Sequence, residues 1–524
     1  MSPDYLNHFE TTAVFRLSKR GLLHILFSPT VVILLALLMQ IALLFLLLSP
    51  FFEYVSLLMG GVTVLTVCML IHILNTNANP SVKLSWCVII AALPLFGTIL
   101  YFWMRFDIGN RLVSHMIQQS VESSAACCPD TDDRLEIIRQ EDPSLYNLAL
   151  YLRRHGGHRI YGNTDVTYFP LGEEKFREML LRLEQAEKFI FLEYFTIGPS
   201  SMWDEVLEIL VRKAQAGVEV RVMYDGTSAI AYLPHDYPKR LEKAGIQCKI
   251  SSPLRPFLST HYNNRDHRKI LVIDGHTAFT GGINIQDRYI NRKRVYGHWK
   301  DTAVMVRGEA AQGFTLMFLQ MWNTREKEPV YAPYLSPTPL PAEGYVIPYG
   351  DSPLDQENVG EMVYLNMLHQ ARDYCWIMTP YLILDNEMLT ALKFAAKRGV
   401  DVRLILPHIP DKKYAFYLAQ SHYRELLEAG VRIYEYTPGF IHAKVFLSDD
   451  RDGVVGTINL DYRSLYLHFE SAAYLYKVPA LTQIKEDFVA TMEVSQEITV
   501  EDARKLPLLT RIAGKLLKVV APLM

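Results

Sequence analysis

Six cysteines in 524 residues are too few and too scattered for a disulfide framework. Only Cys127 and Cys128 are adjacent, and none shows the spacing of zinc ligands, so the thiols read as ordinary side chains of a reducing compartment. A basic excess is also missing. With 53 Lys and Arg against 56 Asp and Glu the net charge is −3, which argues against an obligate nucleic-acid binder, because such proteins carry positive charge on the binding face. Charge itself is missing from 30–49 ("TVVILLALLMQIALLFLLLS"), a length that crosses a hydrocarbon core of ~30 Å at ~1.5 Å per residue.

That run predicts a membrane helix rather than a buried core helix, and 54–74 is a second candidate. The segment 84–104 is a third, interrupted by Pro94 and Gly97. The first run starts too late, is too long and lacks a small-residue cleavage site, so it does not read as a cleaved signal peptide. Arg16, Lys19 and Arg20 place the N-terminus in the cytoplasm, with Glu53 outside and Lys83 inside. A third full crossing would then put Arg105 and Arg111 outside, against the same rule. Either the N-terminus is external or the third segment is broken and shallow.

After an acidic, polar stretch at 107–145 the chain repeats itself. "FIFLEYF" (189–195) matches "CWIMTPYL" (375–382), "LVRKAQAGVEVRVMYD" (210–225) matches "LKFAAKRGVDVRLILP" (392–407), and "LEKAGIQCKI" (241–250) matches "LLEAGVRIYEY" (426–436). In the latter two pairs a helical run ends at a glycine suited to a left-handed cap and an alternating strand follows. The offsets stay close, from 187 residues for Tyr194 and Tyr381 to 175 for His267 and His442. Such alternation predicts an α/β fold with a mostly parallel or mixed sheet in each of two halves related by a pseudo-two-fold axis. The predicted organisation is a membrane region at 1–106, a linker at 107–145, a first half at 146–327, a proline-rich connector at 328–348, a second half at 349–500 and a C-terminal segment at 501–524. Two copies are too few for a solenoid.

The repeat carries chemistry. "HRKILVID" (267–274) and "HAKVFLSD" (442–449) give two matched sets, His267, Lys269, Asp274 and His442, Lys444, Asp449. Six residues past each aspartate begin "GGIN" and "GTIN", which makes Asn284 and Asn459 equivalent. On a strand, positions i and i+2 face one side, so each histidine lies beside its lysine while the aspartates, at odd offsets, face away and read as structural. If the halves meet, one pocket receives two imidazoles, two ammonium groups and two amides. The lysines and asparagines would hold phosphate oxygens, one neutral histidine would attack phosphorus, and the other would protonate the leaving oxygen. Such a site calls for no metal and no cofactor, since the lysines supply the charge that Mg²⁺ would otherwise provide.

"HRKILVIDGHTAFTGGIN" and "HAKVFLSDDRDGVVGTIN" resemble the two His-x-Lys-x4-Asp motifs of the phospholipase D superfamily, over roughly 150–500. With "TPYLILDNEMLTALKFAAKRGVDVRLILP", "NLDYRSLY", "VAPLM" and the N-terminal hydrophobic segments, the chain is most similar to the bacterial cardiolipin synthase branch. The resemblance implies duplicated phospholipase D-like α/β halves, His267 as nucleophile forming a phosphatidyl-histidine, and His442 as acid and then base. It implies that Glu470 orients His267 and Asp301 orients His442 from the opposite half. It also implies phosphatidylglycerol as substrate, cardiolipin and glycerol as products, a lipid bilayer as partner without nucleic acid, and a multi-pass cytoplasmic membrane location. His468 departs from the asparagine usual at its position, which puts local packing or substrate contacts in question. Water as acceptor would make the same residues a hydrolase. A nuclease-like phosphodiesterase would need the missing basic groove, and a silent scaffold would have no need for both intact motifs.

Other side chains admit plainer readings. Tyr194 and Tyr381 read as residues closing two buried strands or lining the pocket, Asp287 and Arg463 as a structural ion pair or head-group ligands, and His276 and His298 as surface or loop. Trp299 fits either a core or a membrane interface. The stretch 507–524 has Arg511, Lys515 and Lys518, no acid and leucines at helical spacing, so it forms an amphipathic helix suited to anionic lipid or to the domain surface.

Overall fold

Residues 29–47, 52–105, 108–127, 134–252, 264–336, 338–355 and 357–523 are described by the computed structural model. Arg16, Lys19, Arg20, Cys128 and residues 129–133 of the acidic run lie outside them, as does the Glu53 side chain. The chain divides into two units. One takes in residues up to 76 together with 89–106; the other takes in 77–88 and nearly everything from 107 onward.

The first unit is helical. The apolar runs form α1 (Pro29–Leu47) and α2 (Phe52–Leu74), and the third segment is split into α3 (Pro80–Ala92) and α4 (Pro94–Arg105), the part of α3 up to Val88 being counted with the second unit. Pro94 stands at the break, where it cannot donate a backbone hydrogen bond to the preceding turn. Gly97 packs so closely that a Cβ there would lie 2.9 Å from the Ile90 Cα. Gln40, buried within α1, accepts the Phe96 N–H at 3.5 Å and so partners one of the orphan donors in the first turn of α4. Among the residues whose side chains are described, no helix is long and apolar enough to cross a membrane.

In the second unit the duplicated sequence becomes a duplicated sheet. The first half has the strand order β1 (Thr164–Phe169), β9 (Ala303–Gly308), β7 (Thr277–Gly281), β6 (Lys269–Ile273), β2 (Phe189–Tyr194), β3 (Glu219–Asp225), β4 (Gln247–Ser251). The second runs β10 (Tyr345–Asp351), β17 (His468–Tyr476), β16 (Asp452–Gly456), β15 (Val445–Ser448), β11 (Tyr374–Met378), β12 (Asp401–Pro407), β13 (Arg432–Tyr436), with β18 (Ser495–Ile498) added at its edge. Each sheet is mixed, parallel over β2–β3–β4 and β11–β12–β13 and antiparallel elsewhere. Gly217, Gly245, Gly399 and Gly430, which end the helices before β3, β4, β12 and β13, all have φ between 86° and 99°, the left-handed region that a β-carbon penalises.

Both faces of each sheet are covered, which is why these strands read as nearly continuous apolar runs. Ile270 and Val272 of β6 share one core with Val445 and Leu447 of β15, joining the halves, while Leu271 and Ile273 face the outer core of the first half and Phe446 that of the second. Helices Ala311–Trp322 and Ala480–Glu493 complete the shared core. The described residues of 107–145 form helices Ile108–Ala126 and Arg134–Glu141 and the start of helix Pro143–Gly156. Ser120 Oγ donates to Gln320 O at 2.7 Å and lies 2.6 Å from the Tyr331 hydroxyl, so the proline-rich connector is anchored at Tyr331.

Two short pairings cross between the halves. β5 (Arg265–Asp266) runs parallel to the start of β17, with Asp266 opposite Phe469. β14 (Gly439–Ile441) runs parallel to β8 (His298–Lys300), with Ile441 opposite Lys300. Each leads directly into a repeated histidine.

Candidate active site

His267 and His442 occupy the gaps where the chain leaves the opposite half and enters its own sheet. The ladder continues one step past each pairing: His267 N–H donates to Phe469 O at 2.9 Å, and His442 N–H to Lys300 O at 2.7 Å. In register, the next residue beside His267 is Glu470 and the next beside His442 is Asp301. Their side chains meet accordingly. His267 Nδ1 lies 3.0 and 2.9 Å from Glu470 Oε1 and Oε2, and His442 Nδ1 lies 2.7 Å from Asp301 Oδ2. All four groups are buried. With Nδ1–H held by a carboxylate, a neutral imidazole keeps its lone pair at Nε2.

Lys269 and Lys444 are buried beside the histidines, and each Nζ donates to the carbonyl oxygen of its own histidine, His267 and His442 respectively. An ammonium has three donors, so two remain on each. Burial lowers Lys269 to about 7 and Lys444 to about 8, with Glu470 and Asp301 opposing the shift.

The two dyads differ in charge. Burial pulls His267 down to about 3; Glu470 stays well below the usual carboxylate range despite burial, because His267, its hydrogen bonds and His468 favour the anion. The Thr457 hydroxyl also donates to Glu470 Oε2. This pair is neutral imidazole with carboxylate, without a spare proton. Asp301 is pushed up to about 7 by burial, and His442 is pushed well below its ordinary value by burial and by Lys444, Lys269, Arg288 and Lys412. A neutral imidazole beside a protonated carboxyl holds as many protons as an imidazolium beside a carboxylate, so the Asp301–His442 pair carries one transferable proton near neutrality.

One position in the repeat also differs beside the two carboxylates. Gly282 in "GGIN" corresponds to Thr457 in "GTIN". A Cβ at Gly282 would lie 2.0 Å from Asp301 Oδ1, so only glycine leaves room for that carboxylate, whose Oδ1 accepts the Thr302 N–H at 2.9 Å. Thr457 instead gives Glu470 a hydroxyl. This one-residue difference between the copies was visible in the sequence, but its partners were not.

Asp274 and Asp449 are not gathered into the pocket. They lie at the far ends of β6 and β15 with φ of 53° and 52°. Asp274 accepts the N–H groups of Glu187, Lys188 and Phe189 at 2.7–2.8 Å, and Asp449 those of Arg372, Asp373 and Tyr374 at 2.7–3.0 Å. Each fixes the entry of its neighbouring strand, β2 or β11. Asn284 is engaged at both ends of its amide, accepting Thr196 N–H at 3.0 Å and donating to the Tyr289 hydroxyl at 2.9 Å, whereas the buried Asn459 Oδ1 has no partner.

The remaining side chains sort by contact. Tyr194 is buried, its hydroxyl accepting from Lys175 at 2.8 Å, and Tyr381 donates to Asp411 at 2.7 Å. Asp287 pairs with the start of helix Ser201–Gln215, accepting Ser201 and Met202 N–H groups, so it is a helix cap and not the partner of Arg463. His276 is exposed. His298, read from sequence as surface or loop, instead bridges the halves through Tyr436 at 2.8 Å, because β8 is pulled against β14. Trp299 is core, its ring 5.2 Å from that of His442. His468 takes the equivalent place beside His267, at 5.4 Å.

Comparison with known proteins identifies the family. The family model described as "Cardiolipin synthase, PLD-like domain" matches residues 179–322 and 364–492, and one described as "Phospholipase D-nuclease N-terminal" matches 64–105. An uncharacterized protein of Streptococcus mutans is 52% identical over 87% of this chain and 99% of its own length. Cardiolipin synthase of Geobacillus kaustophilus is 35% identical, covering 89% of this chain and 94% of its own, and that of Alkalihalophilus pseudofirmus is 33% identical, covering 86% and 90%. Among solved structures, phosphatidylserine synthase of Haemophilus influenzae has the same fold, with a TM-score of 0.53 at 17% identity over 68% of this chain and 93% of that one.

Proposed function

The chain belongs to the cardiolipin synthase family of phospholipase D-like proteins, and from that membership we propose that it joins two phosphatidylglycerol molecules into cardiolipin and glycerol. The observation that carries the reading is the reciprocal pairing of His267 with Glu470 and His442 with Asp301 across the halves. Each carboxylate holds Nδ1, which leaves two Nε2 atoms for one phosphorus centre.

His267 Nε2 attacks the phosphorus of the first lipid, forming the P–N bond as the P–O bond to glycerol breaks. The proton held by the Asp301–His442 pair goes to the departing glycerol oxygen. The free donors of Lys269 and Lys444 neutralise the charge that builds on the phosphoryl oxygens. His442, now neutral, takes the proton of a hydroxyl on the second phosphatidylglycerol, whose oxygen attacks phosphorus and displaces His267. Protons and charge return to the start. The electrostatic difference between the dyads supports this order, since the nucleophile must begin neutral and the acid must begin with a proton.

The membrane arrangement follows the same logic. α1 and α2, whose apolar runs 30–49 and 54–74 extend beyond the residues with described side chains, cross the bilayer, and the third segment dips in and returns. Its pieces, of 13 and 12 residues, rise only about 18–20 Å each against a core of ~30 Å. Two crossings keep Arg16, Lys19, Arg20, Arg105 and Arg111 on the cytoplasmic side with the catalytic halves. A membrane-impermeant thiol reagent on intact cells then labels Glu53→Cys and spares the exposed Cys127; labelling of Cys127 would refute the two-crossing arrangement.

The direct test is detergent-purified protein with phosphatidylglycerol alone, beside His267→Ala. Cardiolipin and glycerol in equal amounts, lost in the variant, are expected. Phosphatidic acid as the sole lipid product would make the enzyme a hydrolase, and absence of turnover would defeat the reading.

A further inference from the structure

Among the described residues at the junction, His468 is a buried imidazole with a long ion-pair contact to Glu470 and no hydrogen bond. Its Nδ1 and Nε2 are both sealed from solvent without a hydrogen-bond partner, although the residue is more than nine-tenths buried. Leaving such polar atoms unpaired costs about 1–3 kcal/mol, so the position would favour any group that satisfied them. The pseudo-symmetric position in the other half is Trp299, whose ring cannot ligate.

The surroundings of His468 are those of a metal ligand. Nδ1 stands 3.5 Å from Glu470 Oε1, and that same oxygen is 3.0 Å from His267 Nδ1. One donor atom from each of His267, His468 and Glu470 lies within 4.8 Å of the others. Tetrahedral zinc with bonds of ~2.0–2.2 Å sets its ligand atoms roughly 3.3–3.5 Å apart. The two observed N···O separations bracket that spacing, so modest side-chain rotation closes the set.

We propose that His267, His468 and Glu470 form an inhibitory site for a transition-metal ion of the zinc type. Two imidazoles and a carboxylate select zinc, cobalt or nickel over magnesium and calcium, which prefer oxygen ligands alone. Glu470 contributes Oε1, while Thr457 keeps its bond to Oε2. The ion takes the lone pair at His267 Nδ1, so the imidazole proton moves to Nε2. No net proton is released. The nucleophile then has an N–H where its attacking lone pair had been. The inhibition rests on the function proposed above; the binding does not.

The test uses the full chain in detergent, stripped with chelator and titrated with zinc chloride by calorimetry. Binding of one zinc per chain is expected, weakened at least tenfold in His468→Asn, with cardiolipin formation by the wild type falling in step with occupancy and restored by chelator. Magnesium should do neither. Equal zinc affinity in wild type and His468→Asn would overturn the site. X-ray absorption at the zinc edge of the wild type, which needs no variant, should report two imidazoles and oxygen ligands; sulfur ligands or a single imidazole would place the ion elsewhere and refute the proposal. Zinc bound with that signature while turnover is unchanged would overturn the inhibition alone, and a preparation inactive even without metal would count against the proposed function while leaving the binding result readable.

Discussion

Glu470→Gln separates the roles of the two histidines. The Thr457 hydroxyl donates to Glu470 Oε2, so a glutamine there keeps its carbonyl oxygen toward Thr457 and turns its NH₂ toward His267. That NH₂ donates to Nδ1 and drives the imidazole proton to Nε2, leaving no lone pair aimed at phosphorus. The comparable tautomer inversion in a serine protease costs roughly 10⁴ in kcat, or about 5.4 kcal/mol at ~1.36 kcal/mol per decade. Asp301→Asn inverts His442 by the same logic, but His442 is needed only to move a proton. A phosphatidyl ester of p-nitrophenol distinguishes the cases, because nitrophenolate leaves without protonation. In rapid-quench experiments Asp301→Asn should release one equivalent of nitrophenolate in a burst and then stall, while Glu470→Gln gives neither burst nor turnover. A burst retained in Glu470→Gln and lost in Asp301→Asn would exchange the two roles, and equal bursts in both would refute the reasoning.

Other expectations follow from the same geometry. Gly282→Ala puts a methyl 2.0 Å from Asp301 Oδ1; relief by displacing that carboxylate should lower kcat at least 100-fold, with a stability loss of about 1–3 kcal/mol measured by thermal unfolding. Asp274→Asn and Asp449→Asn each weaken three charge-assisted bonds to backbone N–H groups, so each should cost about 2–3 kcal/mol in denaturant unfolding, with specific activity per folded molecule nearly unchanged. Lys269 at about 7, Lys444 at about 8 and Asp301 at about 7 are all active in their protonated forms. kcat/KM should therefore be full below about 6 and fall as pH rises through about 6–8, and the limb should move upward in kcat because bound phosphate favours the protonated forms. A kcat/KM that rises across that window would contradict the assignment.

The repeat, its glycine-ended helices and the paired His-x-Lys sets were legible in the sequence because each rests on local chemistry: period-two alternation, left-handed caps and fixed offsets along one strand. The parity that turned Asp274 and Asp449 away from the histidines was legible for the same reason, and the structure uses both to hold strand ends. Proline and glycine in the third hydrophobic segment announced its break. What one strand cannot encode is which strand of the other half lies beside it. Pairing of β5 with β17 and of β14 with β8 brings Glu470 to His267 and Asp301 to His442 over separations of 203 and 141 residues. The resemblance to a family anticipated these partners, but no spacing within either motif specified them. The same crossing moved His298 from an apparent surface into the junction and put Trp299 over His442. Sequence determined the elements and the reactive groups, since those follow from neighbours in the chain; tertiary structure alone decided protonation, because burial and the approach of distant groups set it.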